Sequence, residues 1–503
     1  MLSRPDPSDH VVRAEVSARA DARPLLFPLL AMAVLWTIIP ALVHTAPPLD
    51  VVESALWGRE WVVGTYKHPG MPSWFIEAGR WLHGGTIGWP VYAASQLFAL
   101  ATLGLTFLLA RDLAGARVAI ASVLALLGVE YFSWRSVEFN HTLAQMPFWV
   151  GAAWCAWRAV TRPALIWWLA LGAMAALGLY AKLSNAVLLV VIAGWILSTA
   201  RGRATLGTSG PWLGGLTFAV LLIPLVRWLT DSDFHAFEYA SARGHEQSLA
   251  ATLLFPVSAL LQAAPVALAL ALAGFFNRNL VAPDATTPHS RDALSFLKTV
   301  TLLPLLLSVI IALFDGSGVR ATWMAPAIPL LTVLLIVHFA SRLNDTVLAN
   351  LGKVALGMAV LIPLGYGLLS PYAGRYGWSP PLRVNWPQRD VSRALATAWT
   401  QETGKPLKIV AGAAWMAGLV ALDHPDRPSI LTEGQLKFSP WITPERLKRD
   451  GAVAVWVEGR GAVGMPALDA LIAGKPVKEV RIPFPRNKPG QDIVVKYAII
   501  PPG

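Results

Sequence analysis

One cysteine, Cys155, is all the sequence holds. A lone thiol forms no disulfide framework and supplies no cysteine-based metal site. Charge is scarce too: Asp, Glu, Lys and Arg make up 14% of 503 residues, against 55% hydrophobic residues and a mean hydropathy of +0.52. That balance excludes an ordinary soluble protein of this size. There is also no internal repeat of fixed period, which argues against a repeat array. The first apolar run, roughly residues 24 to 46, lacks a small-residue cleavage site and is too long for a removed signal peptide, so it reads as an uncleaved span.

What is present is a series of apolar runs near 20 residues, long enough to cross a hydrocarbon core of about 30 Å. About eleven spans are expected, near 24–46, 88–110, 117–133, 142–160, 163–181, 184–200, 211–229, 250–275, 296–314, 321–341 and 350–370. Lys and Arg in short loops favour the cytoplasm. With the N-terminus inside, the inner connections hold Arg111 and Arg117, Arg158 and Arg162, Arg201 and Arg203, Arg278 and Arg291, and Arg342 and Lys353. Every inner loop is then basic, and an odd span count puts everything after residue 371 outside. That placement predicts a multi-pass membrane protein with residues 47–87 and the polar tail on the outer side.

Three regions follow: a cytoplasmic leader over residues 1–23, a transmembrane region over 24–370, and a domain on the outer side over 371–503. The last contains alternating runs such as Lys408-Ile409-Val410-Ala411 and Val453-Ala454-Val455-Trp456-Val457 between Pro, Gly and Asp turns. The expected fold is mainly α, polytopic, with a small C-terminal α/β domain. Residues 371–503 carry 18 Lys and Arg against 11 Asp and Glu. With a pI of 9.9, this basic excess is read as a match to anionic membrane lipids, with no nucleic acid as partner.

Functional residues concentrate in the first outer loop, residues 47 to 87. If residues 50 to 62 are helical, Asp50, Glu53 and Trp57 share one face. Trp61, Trp74 and Trp81 supply interfacial aromatics, and Lys67-His68 follow. Two acids and a basic pair beside a bilayer are expected to face a cavity. From other outer segments come Arg135, Asn140-His141, Lys182 and Arg320. Lys182 interrupts two apolar runs, which marks an ionisable group there as functional. Asn140 and His141 either bond a ligand or cap a helix. The 231–249 segment, with His235, Glu238, His245 and Glu246, is a gating candidate. Its spacing lacks a tight ligand pattern, and no metal or other cofactor is expected.

The residues Leu49-Asp50-Val51-Val52-Glu53, Trp57-Gly58-Arg59-Glu60-Trp61, Gly64, Lys67-His68-Pro69, Phe139-Asn140, Trp323-Met324-Ala325-Pro326 and Asn385-Trp386-Pro387 resemble, in order and placement, the membrane glycosyltransferases of the GT-C superfamily. The likeness is to bacterial proteins related to protein O-mannosyltransferases and to the aminoarabinose transferase of lipid A, including galacturonosyl transferases of lipopolysaccharide. It spans nearly the whole chain. Two departures stand out: many relatives carry Asp-Glu where this sequence has Asp50-Val51, and Gly70 stands where a second proline is usual. The first leaves the role of Glu53 open.

The resemblance implies a bacterial inner-membrane protein with its active site and C-terminal domain on the periplasmic side, a polyprenyl-phosphate-sugar donor, a lipid or glycan acceptor such as lipid A or core oligosaccharide, and an inverting single displacement. Asp50 is then the general base. Glu53 positions the acceptor, holds a cation or shares the base role. Lys67, His68, Arg59, Arg135, Lys182 and Arg320 are candidates for the donor phosphate, and Asn140, His141, Trp57 and Trp323 for the substrate. A protein acceptor is the nearest alternative. A flippase for a lipid-linked sugar would instead place its acids or broken helices near mid-membrane.

Overall fold

The computed structural model describes residues 23–162, 164–277, 291–375, 381–457, 465–486 and 490–503. Residues 1–22, nearly all of the expected leader, lie outside them. The first helix, α1 (Arg23–Val43), is followed by two short helices of the 47–87 segment, α2 (Leu49–Arg59) and α3 (Met71–Leu82). Then come α4 (Trp89–Ala114), α5 (Ala116–Leu126), α6 (His141–Thr161), α7 (Leu165–Ala181), α8 (Asn185–Ser198), α9 (Ser209–Asp231), α10 (His235–His245), α11 (Arg291–Asp315), α12 (Ile328–His338) and α13 (Asp345–Leu369). Helix α4 packs against α1, α5 and α6, while α7 lies between α6 and α9.

Among the described residues, six helices are long and apolar enough to cross a membrane: α1, α4, α9, Phe255–Leu272, α11 and Asp345–Tyr372. The expectation of about eleven such spans is not reached. Part of the difference is length, since Ala116–Leu126, Leu165–Ala181, Asn185–Ser198 and Ala325–His338 are apolar but only 10–17 residues long. Proline, which removes a backbone donor and crowds the preceding turn, also marks breaks: the 250–275 span, still one of the six, is divided into Leu249–Leu253, Phe255–Gln262 and Ala264–Leu272, with Pro256 and Pro265 near the breaks. The 321–341 span opens as a 3-10 helix, Ala321–Ala327, containing Pro326, before α12.

The C-terminal region forms a five-stranded sheet of order β2-β1-β3-β5-β4, built from β1 (Ile409–Gly412), β2 (Ser429–Thr432), β3 (Ala452–Val457), β4 (Lys478–Pro483) and β5 (Asp492–Ile500). Strand β1 pairs in parallel with β2 and β3, whereas β5 runs antiparallel to β3 and β4. Both runs singled out in the sequence are strands, β1 and β3. Helices α14 (Gln388–Thr403) and α15 (Ala414–Ala421) pack against each other.

This C-terminal region packs on the 47–87 segment. The N–H groups of Thr45 and Ala46, just past α1, both donate to the Val384 carbonyl at 2.9 and 3.0 Å. Helix α15 lies on α2 with Gly418 at the crossing, where a Cβ would fall 2.3 Å from Val52 Cγ1. On another side Gly58 lets α2 approach α3, since a Cβ there would meet the Ser73 carbonyl oxygen at 2.3 Å. Helix α2 is thus held between α3 and α15.

Candidate active site

Pro48 precedes α2 and Asp50 lies in its first turn, where a carboxylate is favoured by the partial positive charge of the helix N-terminus. The Asp50 N–H, left without a helical partner by its position, donates to Glu138 Oε1 at 2.9 Å. The helix ends at Glu60, and Trp61 turns the chain with a left-handed φ of 49°. A narrow hairpin follows. Thr65 N–H donates to the His68 carbonyl at 2.8 Å, and Gly70 N–H to the Val63 carbonyl at 2.7 Å, which puts Lys67 at the tip.

Lys67 Nζ reaches Glu53 Oε1 at 2.8 Å and lies 6.0, 5.5 and 5.6 Å from the ring centres of Trp57, Tyr66 and Tyr239. Lys182, at the end of α7, donates to Thr142 Oγ1 at 3.0 Å. Among the described residues it has no carboxylate in salt-bridge range. His68 and His141 lie ring to ring, 4.3 Å between centres, and His141 Nε2 is 3.0 Å from the Pro69 carbonyl oxygen. Asn140 caps α6, its Oδ1 accepting from the N–H groups of Thr142 and Leu143, while its side chain also bonds the Asp50 carboxylate. Capping and facing the site, alternatives in the sequence, coexist because the amide has two ends.

These groups line two cavities that share Asp50, Lys67, His68, Asn140, Thr142, Lys182 and Tyr239. The smaller, about 80 Å³, adds Glu53, Trp57 and His141. The larger, about 480 Å³, adds Arg135, Glu138, Arg243, Arg320 and Trp323. Arg135 is paired with Glu130 at 2.8 Å, and Arg320 shares Glu246 with Arg243 at 2.7 Å each.

Burial raises the Asp50 carboxyl above the usual carboxylate range, and Glu138 and Glu53 push it further. Glu138 is raised as well, chiefly by burial. Burial brings the Lys182 ammonium down to about 8, opposed by the Asp50 carboxylate. It also works against Lys67, but Glu53 and the tyrosines outweigh it and keep that ammonium charged. Like charge this close favours proton uptake by the acids, which makes Asp50 a stronger base than an exposed carboxylate.

Eleven of the twelve residues singled out in the sequence line one or both cavities; Arg59 does not. Nine residues after Asp50, at about 100° each, it emerges on the opposite face of α2. Its guanidinium donates to the carbonyls of Pro428 at 2.5 Å and Ala421 at 3.1 Å. The expectation that Arg59 meets the donor phosphate is therefore corrected: it fastens the C-terminal domain. His68 needs a correction in kind. Burial, with His141 and Lys182 nearby, holds its imidazole well below the ordinary range, so it is a neutral hydrogen-bonding group and not a cation.

Sequence reasoning missed Glu138, Tyr239 and Arg243. Glu138 was visible as an acid two residues before Asn140. Tyr239 and Arg243 lie in the segment marked for gating, but the histidines drew attention there. His235 and His245 instead bond backbone carbonyls of their own segment, those of Ser232 and Ser241. Among the described residues no three His, Cys, Asp or Glu side chains gather to hold a metal ion.

Residues 67–228 match the family described as dolichyl-phosphate-mannose-protein mannosyltransferase. No curated protein matches the sequence. Among solved structures, apo ArnT from Cupriavidus metallidurans is similar in fold at 15% identity, with 95% of this chain and 98% of that one covered and a TM-score of 0.59. The same protein bound to undecaprenyl phosphate is similar at 16% identity, 94% and 97% coverage and a TM-score of 0.57. The GT-C resemblance read from the sequence is borne out: the chain has the ArnT-like fold over nearly its whole length.

Proposed function

We propose that this protein is a glycosyltransferase that moves a sugar from a polyprenyl-phosphate carrier to an envelope acceptor of the lipid A, core oligosaccharide or other glycolipid class, at the periplasmic face of an inner membrane. One observation carries the reading. The Asp50 carboxylate and the cations Lys67, Arg135, Lys182, Arg243 and Arg320 line a single cavity. The matched family and the undecaprenyl phosphate held by ArnT support the same donor class.

The chemistry is a single displacement. An acceptor hydroxyl oxygen bonds to the anomeric carbon as the bond from that carbon to the phosphate oxygen breaks, and the hydroxyl proton passes to Asp50. The polyprenyl phosphate leaves with the bonding electrons. Lys182 receives its growing charge most readily, being the cavity cation with no carboxylate to share, and Lys67 adds a second positive charge. Glu53 holds Lys67 in place, and the Glu138 carboxylate orients Asp50 through its backbone. The family description favours a second reading, in which the acceptor is a Ser or Thr of an exported protein.

The test is transfer by purified protein from a synthetic polyprenyl-phosphate sugar, combined with mass spectrometry of envelope glycolipids from a strain lacking it. A glycolipid sugar mass lost with the gene supports the first acceptor class. Loss confined to glycoproteins supports the second, and no turnover of any such donor removes the proposal.

A further inference from the structure

A further cavity is larger than either of the two that hold Asp50. It measures about 680 Å³ and lies in the seam between the outer end of α1, the start of α4 and the C-terminal domain. Its membrane-side wall is Ile38, Leu42 and Trp89. Leu42 and Trp89 are 74% and 53% exposed, so this wall continues onto the apolar surface of α1, whose outward residues meet lipid. Its roof is polar: Arg389, Asp390 and Arg393 of α14, with Asp423.

Charge accounting identifies what this roof lacks. Asp390 is already paired with Arg393 at 3.3 Å, and Asp423 acts on Arg80 behind it. Arg389 has no carboxylate partner among the described residues. Arg486, next to the lining residue Pro485, donates to the Val43 carbonyl at 2.6 Å, which leaves its positive charge unmatched. An apolar floor open to the bilayer beneath unmatched guanidinium groups fits one class of ligand, an amphiphile with an anionic head.

We propose that this seam binds one anionic membrane lipid, its acyl chains along Ile38, Leu42 and Trp89 and its headgroup phosphate against Arg389 and Arg486. The site is separate from the catalytic cavity, shares none of its lining residues, and does not depend on the transfer reaction proposed above. A basic residue at such a boundary gains from each negative headgroup, and the apolar floor supplies the preference for a lipid over a free anion.

Native mass spectrometry of the full-length protein in detergent tests this, with phosphatidylglycerol and phosphatidylcholine of identical chains as probes. The expected result is one phosphatidylglycerol retained per protein, with phosphatidylcholine held roughly tenfold more weakly. Charge reversal in Arg389→Glu/Arg486→Glu should remove that preference. Lys182→Ala, in the catalytic cavity, should leave it intact. Equal retention of both lipids, unchanged retention in the double variant, or loss in Lys182→Ala would each overturn the proposal. Glycerol phosphate is the arm for a soluble source: failure to displace the lipid at millimolar concentration supports the lipid, and full displacement overturns it.

Discussion

On the side of α2 that meets the C-terminal domain, Arg59, Glu60 and the neighbouring Glu77 are all partnered. Arg59 bonds carbonyls of that domain, Glu60 accepts from Ser429 Oγ at 2.9 Å, and Glu77 of α3 is held by Arg80 at 2.8 Å and Arg427 at 2.9 Å. On the side that meets the cavity, like charges face one another: Asp50 lies among Glu53 and Glu138, and Lys182 has only a hydroxyl. The same short helix therefore carries one face built to be stable and one kept electrostatically uncomfortable. Perturbed acids and bases in a cleft mark a reactive site, whereas matched pairs mark a joint.

Breaking the uncomfortable face should abolish turnover without loosening the protein. Asp50→Asn keeps volume and removes the base, so kcat should fall by roughly 10²- to 10⁴-fold while the unfolding midpoint in detergent stays put. Full activity in that variant would take Asp50 out of the chemistry. Breaking the comfortable face should do the reverse. Glu77 is 1% exposed, and Glu77→Ala leaves Arg80 buried without its anion, a change that costs about 3–5 kcal/mol. Denaturation of the purified variant would show a lower midpoint, with near-normal turnover in the molecules still folded. Burial opposes the Glu77 charge, but Arg80 and Arg427 outweigh it and hold the carboxyl below its ordinary value of 4.5. A lowered folded-state value means this contribution is present above pH 4.5 and lost as pH falls further.

The division between the two faces was partly legible in the sequence. Asp50, Glu53 and Trp57 follow helical spacing, so their common face could be read before any fold was known. The same period places Arg59 on the other side, away from the phosphate for which its positive charge made it a candidate. What the spacing did not reveal was its partner, because the carbonyls of Ala421 and Pro428 lie more than 360 residues away in sequence. Glu138 and Tyr239 were hidden for a similar reason. Each sits in a connecting segment of ordinary composition, and only tertiary packing brings them to Asp50 and Lys67. Strands β1 and β3 were readable from their own β-branched runs. The spans broken by Pro256, Pro265 and Pro326 were counted whole because hydropathy does not register a missing backbone donor.

A finer test of the reactive face uses pH. With Lys182 at about 8, its charge is lost as pH rises through that value, whereas Asp50, raised by burial and its acidic neighbours, gains its charge as pH rises. The pH profile of kcat/KM should therefore be bell-shaped, with the acid side set by the Asp50 group of carboxylates and the alkaline side by Lys182. Arginine stays protonated throughout, so Lys182→Arg should remove the alkaline limb while lowering the plateau modestly. An alkaline limb that persists unchanged in Lys182→Arg assigns it to another group.

The smallest effect tests whether the two faces communicate. A Cβ at Gly418 would lie 2.3 Å from Val52 Cγ1 and 3.1 Å from Leu56 Cδ1, too close for α15 and α2 to keep their spacing. Overpacking of this kind costs about 1–3 kcal/mol, but alanine in a helix recovers roughly 1 kcal/mol relative to glycine. The net change in stability for Gly418→Ala should thus stay within about 2 kcal/mol. Turnover should respond more clearly, because α2 must move by a fraction of an ångström, Asp50 moves with it, and a misplacement of about 1 Å can cost 10²-fold in rate. A several-fold loss of kcat, recovered when Val52→Ala is added to make room, would show that docking of the C-terminal domain sets the position of the base. Unchanged turnover in Gly418→Ala would mean that α3 and Glu138 alone hold Asp50 in place, leaving the joint and the reactive face independent.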